Sequence, residues 1–169
     1  MKTSKKNELN LSDRQIFGNI INKKTIKHFT LLAAVLLTSL TSLFAQNADV
    51  VKGIWLNDEK DAKVEIYKSG DKYFGKIIWV KEMYESDGKT LKKDSKNLNE
   101  KLRGRSILNL TVLSGFAYDD SEWVGGEIYD PKTGKTYKSK MKLKGGNLEV
   151  RGYIGSPMLG KTTVWKKVS

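Results

Sequence analysis

The chain has 169 residues, of which 31 are Lys or Arg and 19 are Asp or Glu, for a formal net charge of +12 at pH 7. It contains one His and no Cys, so disulfide frameworks, Cys-based zinc sites and thiol catalysis are excluded from the start. A chain of this length is sufficient for one globular domain.

The first recognisable element is an uncharged apolar run, Phe29 to Phe44, which follows a basic segment at residues 23–28. This order is typical of a secretory signal peptide. We predict cleavage after Ala45, with Ala48 as a second candidate site, so that residues 1–45 are removed and residues 46–169 form the mature domain. The alternative is a transmembrane anchor, but the run is shorter than the about 20 apolar residues that a membrane-spanning helix needs.

Removal of residues 1–45 takes away 7 basic residues, 2 acidic residues and the only His, which leaves 24 basic and 17 acidic residues, a net charge of +7. The mature domain then has no imidazole base, no thiolate nucleophile and no soft metal ligand. No acid and base pair is indicated by spacing either. We therefore predict no cofactor, no metal site, and a binding protein rather than an enzyme.

From Ala62 onward, apolar residues recur at every second position with mostly Lys or Glu between them, which is typical of half-buried strands. Clusters of Gly, Asp and Asn separate these segments and suit tight turns. The pattern predicts about eight strands, at roughly 53–56, 62–68, 73–80, 107–113, 123–129, 136–144, 147–154 and 161–168. Residues 81–105 are polar and long for a connection, and predict a lid, binding loop or flexible segment with a short helical turn near 99–103.

Two predicted hairpins have a defined register because their apolar residues must share one face. A turn at Gly145-Gly146 pairs Leu143 with Leu148, Met141 with Val150, Ser139 with Gly152 and Tyr137 with Ile154. A turn at Gly70-Asp71 pairs Ile66 with Gly75 and Val64 with Ile77. Both registers place Lys opposite Glu on the outer face.

Consecutive short strands joined by hairpin turns predict an all-β fold, an antiparallel up-and-down β-barrel of about eight strands. Closure removes exposed strand edges. A barrel of this size has an interior that is either filled by side chains or open for one small ligand.

Several motifs resemble a known family. Gly53-Ile54-Trp55 is similar to the Gly-x-Trp that opens lipocalin-type barrels, where the indole plugs one end. Further motifs follow in order: FGKIIW at 74–79, WVGGEIYDP at 123–131, GKTY at 134–137, LEVRGYIG at 148–155, and Trp165. Together they resemble the secreted bacterial family catalogued as domain of unknown function 2147. The resemblance implies a lipocalin-like, or calycin-like, barrel exported to the periplasm or the exterior, and it transfers no activity and no catalytic residue.

Three positions depart from the family pattern. Phe74 stands where a Cys often precedes the Gly, Leu98 stands where a Pro is usual, and Lys167 replaces an Arg two residues after the final Trp. In the lipocalin-type plug a cation stacks over the first-strand Trp, and Lys can do so less well than Arg.

Residues 155–162, GSPMLGKT, match the nucleotide-binding P-loop pattern. A P-loop requires a following helix whose N-terminal amides hold the phosphates. The residues from Thr163 onward are β-branched and aromatic, and predict a strand. We interpret the motif as a turn.

The candidate ligand-contacting residues are aromatic, apolar or cationic. On the predicted alternation, Tyr73, Trp79, Tyr137 and Met141 face inward, with Gly75, Gly126, Gly152 and Ser139 leaving space. Trp55 joins this set as the expected plug. The same residues would also suit a packed core. Trp123 and Tyr129 fall on the outer face, where they predict an exposed platform.

Arg103 and Arg105 lie in or just after the long segment, where they could pair with a ligand carboxylate or phosphate at the barrel mouth. The alternative, which we favour, is an internal ion pair with Asp94 or Glu100. Arg151 is expected on the outer face.

The leading hypothesis is an exported, non-enzymatic barrel that binds a small hydrophobic or amphipathic molecule, with an anionic one among the candidates. The alternative is an envelope interaction module with a filled barrel that uses its outer face or residues 81–105. The lysines are spread over all outer faces, so nucleic-acid binding is disfavoured. Peripheral contact with anionic envelope surfaces suits the charge, and no transmembrane span is expected after cleavage.

Overall fold

The computed structural model describes residues 48–168, so the predicted signal peptide and its cleavage after Ala45 lie outside the described residues. Eight strands form a closed antiparallel barrel in which each strand pairs with its neighbours in sequence and β1 pairs with β8. The strands are β1 Gly53–Leu56, β2 Ala62–Ser69, β3 Lys72–Val80, β4 Thr111–Asp119, β5 Glu122–Asp130, β6 Lys135–Lys144, β7 Asn147–Tyr153 and β8 Lys161–Lys167. The predicted up-and-down barrel of eight strands is confirmed.

Both hairpin registers are confirmed over most of their length. The β6–β7 ladder pairs Leu143 with Leu148, Met141 with Val150 and Ser139 with Gly152, and the β2–β3 ladder pairs Ile66 with Gly75 and Val64 with Ile77. The β6–β7 ladder ends at Lys138 and Tyr153. Ile154 therefore lies beyond β7, and the predicted pair of Tyr137 with Ile154 is wrong.

The predicted fourth strand, 107–113, is misplaced, since β4 spans Thr111–Asp119. Val112 and Leu113 are both buried, and the β3–β4 register shifts twice, so this strand lacks a simple alternation. The turn between β4 and β5 consists of Asp120 and Ser121, which both have positive φ angles, as a two-residue hairpin turn requires.

The connections outside the ladders agree with two other expectations. A single turn of 3-10 helix spans Glu100–Leu102, where a short helical turn was predicted. β8 begins at Lys161, the lysine of the P-loop-like motif, which confirms a strand in place of a helix. Among the described residues, no helix has the length and apolar character needed to cross a membrane.

Residues 48–52 close one end of the barrel. The indole Nε1 of Trp123 donates to the carbonyl oxygen of Ala48 at 3.1 Å, and that of Trp55 donates to the carbonyl oxygen of Val51 at 2.8 Å. Each bond gives a buried donor an acceptor in the segment that covers it. This segment therefore forms the floor of the barrel.

A tyrosine hydroxyl and a lysine complete the closed end. Tyr73 donates from its hydroxyl to Oδ1 of Asp49 at 2.7 Å, and burial together with this bond raises the pKa of Tyr73. Lys167 Nζ lies 5.4 Å from the centre of the Trp55 ring. Lys167 thus occupies the place over the first-strand Trp, although its replacement of Arg weakens the likeness to the lipocalin-type plug.

The interior of the closed half is filled by large side chains, namely Trp55, Tyr73, Phe116, Trp123, Met141 and Leu148. Gly126 leaves no space here, because a Cβ built on it would lie 2.4 Å from the ring of Phe116. A Cβ on Gly75 would lie 2.9 Å from Leu113. The prediction that these two glycines open space is wrong, because neighbouring side chains occupy their positions.

Candidate functional site

A cavity of about 1000 Å³ occupies the other half of the barrel and opens at its end. Its walls are formed by side chains from the inner faces of seven strands, β2 to β8: Val64, Ile77, Val112, Ile128, Tyr137, Val150 and Trp165. Gly152 also lines it, and a Cβ there would meet the Ile128 side chain at 3.3 Å and Tyr137 at 3.7 Å, so this glycine is much less crowded than Gly126 or Gly75. The volume is within the range of small-molecule sites.

The rim of the cavity is polar and consists of the connections at this end of the barrel. It includes Asn57 to Asp61 between β1 and β2, Lys81 and Glu82 after β3, Asp130 to Lys132 between β5 and β6, and the connection from β7 to β8. An apolar interior with a charged rim suits a molecule whose apolar part enters first.

An ion pair bridges two of these connections. Lys132 Nζ contacts the carboxylate of Glu59 and lies 2.6 Å from Oδ2 of Asp61. The hydrogen bonds to Asp61 and Glu59 raise the pKa of Lys132. Burial acts to raise the pKa of Asp61, but hydrogen bonds from Lys132 and Asn57 outweigh it, so this pKa is lowered. The two connections are four strands apart in the barrel, so the pair spans the opening.

Of the seven residues predicted to contact a ligand, Tyr137 lies on the cavity wall. Trp55, Tyr73 and Met141 point inward as predicted, but they are packed into the closed half and are outside the cavity lining. Their inward orientation was predictable from strand alternation. Which half of the barrel is filled was not, because that depends on residues 48–52.

Trp79 does not face the cavity, contrary to the prediction. The β2–β3 ladder pairs Ile77 with Val64 but Trp79 with Lys63, so Ile78 is the extra residue of a bulge. Lys63 Nζ lies 5.3 Å from the centre of the Trp79 ring on the outer side. Val80 lines the cavity where Trp79 was predicted to do so.

The outer-face prediction for Trp123 is wrong for the same reason. Trp123 pairs with Met141 and Gly126 pairs with Ser139, which leaves one extra residue in β5 between them. Gly125 within this bulge has a φ of +69°. The bulge turns Trp123 into the interior, where it packs edge-on against Tyr73.

Tyr129 forms no exposed platform either. Its hydroxyl donates to Oδ1 of Asp94 at 2.5 Å and accepts from the Asn97 side chain at 2.9 Å. Burial and the Asp94 carboxylate raise the pKa of this tyrosine. Part of the long connection between β3 and β4 therefore covers Tyr129.

Both arginines of that connection form internal contacts, as the favoured alternative predicted. Arg105 Nη2 lies 2.8 Å from Oδ2 of Asp94, a carboxylate with 0% exposure, and Arg103 Nη1 lies 3.0 Å from Glu100. Arg103 Nε also donates to the Asn97 carbonyl oxygen at 2.8 Å. These contacts lie within residues 94–105, a segment that the hydrogen bonds of Tyr129 with Asp94 and Asn97 attach to β5, and neither arginine lines the cavity.

Two lysines at the rim were missed by the sequence reasoning. Lys161 pairs with Gly152, an inner-face residue, and lines the cavity together with Lys81. Within residues 48–168, neither ammonium group has a carboxylate partner. The alternation of β8 around Trp165 could have placed Lys161 inward. No cluster of three or more His, Cys, Asp or Glu in the described part of the chain is arranged to hold a metal ion.

Comparison with known proteins agrees with this architecture. The family model described as "Uncharacterized protein conserved in bacteria (DUF2147)" matches residues 53–167. Among solved structures, protein HP1028 from Helicobacter pylori, described as belonging to the lipocalin family, is 30% identical with a TM-score of 0.61, over 70% of this chain and 83% of that chain. No match was found among the curated proteins. The resemblance seen in the motifs and the lipocalin-like barrel are confirmed.

Proposed function

Because the chain belongs to the bacterial DUF2147 family and has a lipocalin-like barrel, we propose that it is a binding protein that holds a small apolar or amphipathic molecule in the open half of that barrel. The observation that carries the proposal is the cavity of about 1000 Å³ with aliphatic and aromatic walls, beside a closed half that is packed. Burial of an apolar ligand there would contribute roughly 25 cal/mol per Å² of area removed from water.

The charges at the rim define the second part of the proposed ligand. Lys161 and Lys81 are the cations available to an anionic or polar head group, in place of Arg103 and Arg105, which pair with Glu100 and Asp94 and do not line the cavity. The ligand would place its apolar part against Ile128 and Val150 and its head group near these lysines. Binding rather than catalysis is proposed because the carboxylate and lysine side chains stand at the rim, away from the apolar walls.

Export is part of the proposal and is supported by the basic segment and apolar run before Ala45, which suit a secretory signal peptide. The mature domain would then act in the periplasm or outside the cell. The filled-barrel alternative, an envelope interaction module, is less well supported because only one half of the interior is packed.

The proposal is tested by titrating the purified protein with 1-anilinonaphthalene-8-sulfonate, whose fluorescence rises in apolar surroundings. We expect saturable binding at one site. Gly152→Leu places a side chain in the cavity and should weaken binding at least about tenfold, which corresponds to roughly 1.4 kcal/mol. Tyr137→Ala should weaken it less, and Trp79→Ala, outside the cavity, should leave it unchanged.

Native mass spectrometry of protein purified from its own host provides an independent test for a bound molecule. A small molecule retained by the unaltered protein and lost from Gly152→Leu supports the proposal. The absence of saturable probe binding, or equal binding by Gly152→Leu, would overturn it in favour of the filled-barrel alternative.

A further inference from the structure

Three large apolar side chains are exposed on the connection between β7 and β8. Ile154, Met158 and Leu159 are 73%, 88% and 83% exposed, and we call these three residues the apolar lip. Folding ordinarily removes such side chains from water. Three of them in one short connection indicate a surface that is covered in use.

The backbone of the lip is held in place by Arg151 on the outer face of β7. Its Nε donates to the carbonyl oxygen of Pro157 at 2.7 Å and its Nη2 to that of Met158 at 3.3 Å. Nη1 donates to the hydroxyl of Thr162 at 2.7 Å. One guanidinium thus joins the connection to both flanking strands, so the lip is presented on a fixed scaffold.

The lip is continuous with the cavity. Ile154 and Leu159 belong to the cavity lining as well as to the exposed surface, whereas Met158 lies outside the lining. The apolar walls of the cavity therefore extend through the opening onto the outer surface at this one side of the rim. A flat apolar partner seated on the lip would meet the mouth directly.

The charge around the lip favours an anionic partner. Residues 151–163, which form the connection and the adjoining ends of β7 and β8, carry Arg151 and Lys161 and contain no Asp or Glu. The acidic groups of the rim, Asp58, Glu59, Asp61, Glu82 and Asp130, lie on other connections, where Lys132 pairs with Glu59 and Asp61 and Lys92 pairs with Glu82. Apolar side chains flanked by cations are the combination that binds the interface of an anionic membrane.

We propose that the apolar lip docks on a lipid surface carrying anionic head groups, with Met158 and Leu159 entering the boundary between head groups and acyl chains. The mouth of the cavity then faces the membrane. The proposed docking depends on the apolar lip and does not require that the cavity binds a ligand. If it does bind one, an apolar molecule would move between the bilayer and the cavity without crossing water.

Cosedimentation with vesicles tests the docking. We expect the protein to bind vesicles of equal parts phosphatidylcholine and phosphatidylglycerol, and to bind phosphatidylcholine alone more weakly. Met158→Asp should reduce binding to the anionic vesicles at least about tenfold. The matched control is Val168→Asp, which replaces a half-exposed valine at the closed end with the same charge and should change binding by less than about twofold.

The proposed docking and the proposed ligand binding can be tested independently of each other. Met158→Asp should retain binding of 1-anilinonaphthalene-8-sulfonate, and Gly152→Leu should retain binding to vesicles. If the unaltered protein does not bind anionic vesicles, or if Met158→Asp and Val168→Asp reduce binding equally, the docking is overturned and the lip is assigned to contact with another protein.

Discussion

At the closed end of the barrel, aromatic side chains and residues 48–52 exclude water, whereas at the open end aliphatic walls surround a cavity. Both ends are built from the same eight strands. The difference lies in the side chains beside the inward glycines: Phe116 covers Gly126, while Gly152 faces the cavity. Alternation thus specifies which residues face inward, and neighbouring side chains determine whether the space is occupied.

The largest expected difference in the free energy of unfolding comes from replacing an inward glycine by Ala at each end of the barrel. Gly126→Ala places a Cβ 2.4 Å from the Phe116 ring, and overpacking of this kind should lower the free energy of unfolding by about 1–3 kcal/mol. Gly152→Ala places its Cβ 3.3 Å from Ile128 and should change that free energy by less than about 0.5 kcal/mol. Urea denaturation measures both. Equal losses would show that the two halves are packed alike.

A smaller effect is expected where residues 48–52 are attached. Asp49→Asn weakens the acceptor of the Tyr73 hydroxyl and removes the ion pair with Lys52. We expect the free energy of unfolding to fall by about 1 kcal/mol at neutral pH. This value is at the low end for a charged acceptor because the Asp49 side chain is one-third exposed. Hydrogen bonds from Lys52 and Tyr73 hold the pKa of Asp49 below its ordinary value of 3.8.

The sign of the pH dependence follows from that lowered pKa. The contribution of Asp49 is fully present above pH 3.8, the ordinary value, and is lost as the pH falls through the lower pKa of the folded state. The gap in stability between the unaltered protein and Asp49→Asn should therefore close on acidification. Thermal unfolding at neutral pH and at successively lower pH measures the gap, and a gap that stays constant would contradict this role.

A weak effect on stability is also expected from the ion pair at the open end. Lys132→Gln removes an exposed ion pair and should change the free energy of unfolding by less than about 1 kcal/mol. Because Lys132 spans the opening, the same change should speed the entry of 1-anilinonaphthalene-8-sulfonate in stopped-flow fluorescence. Lys142→Gln, which removes an exposed ion pair with Glu122 at the closed end, is the control. An unchanged entry rate for Lys132→Gln would show that the bridge does not restrict access.

Much of the fold was predictable because hairpin turns and alternation are local signals. The pairing of Leu143 with Leu148 follows from Gly145-Gly146 and the need to bury both leucines. Bulges limit this reasoning, since one extra residue reverses the alternation beyond it. Trp79 and Trp123 were placed on the wrong faces for this reason, although the Gly125-Gly126 pair was an available signal for the bulge in β5.

The candidate site was less predictable than the fold. Tyr137 was identified from its strand position, but the arginine contacts depend on how residues 94–105 pack on Tyr129, which separate patterns along the chain do not specify. Arg151 was correctly expected on the outer face of β7. Its hydrogen bonds to the carbonyl oxygens of Pro157 and Met158 were not predicted, because the sequence pattern indicated only that residues 155–162 form a turn.

The floor of the barrel has a consequence for maturation of the chain. Ala48, the second candidate for the signal peptidase cut, supplies the carbonyl oxygen to which the Trp123 indole donates. A mature chain beginning at Asp49 would lack that acceptor, and a buried donor left without a partner costs about 1–3 kcal/mol. Under the proposed export, cleavage after Ala48 in place of Ala45 should therefore give a domain that unfolds at a lower temperature.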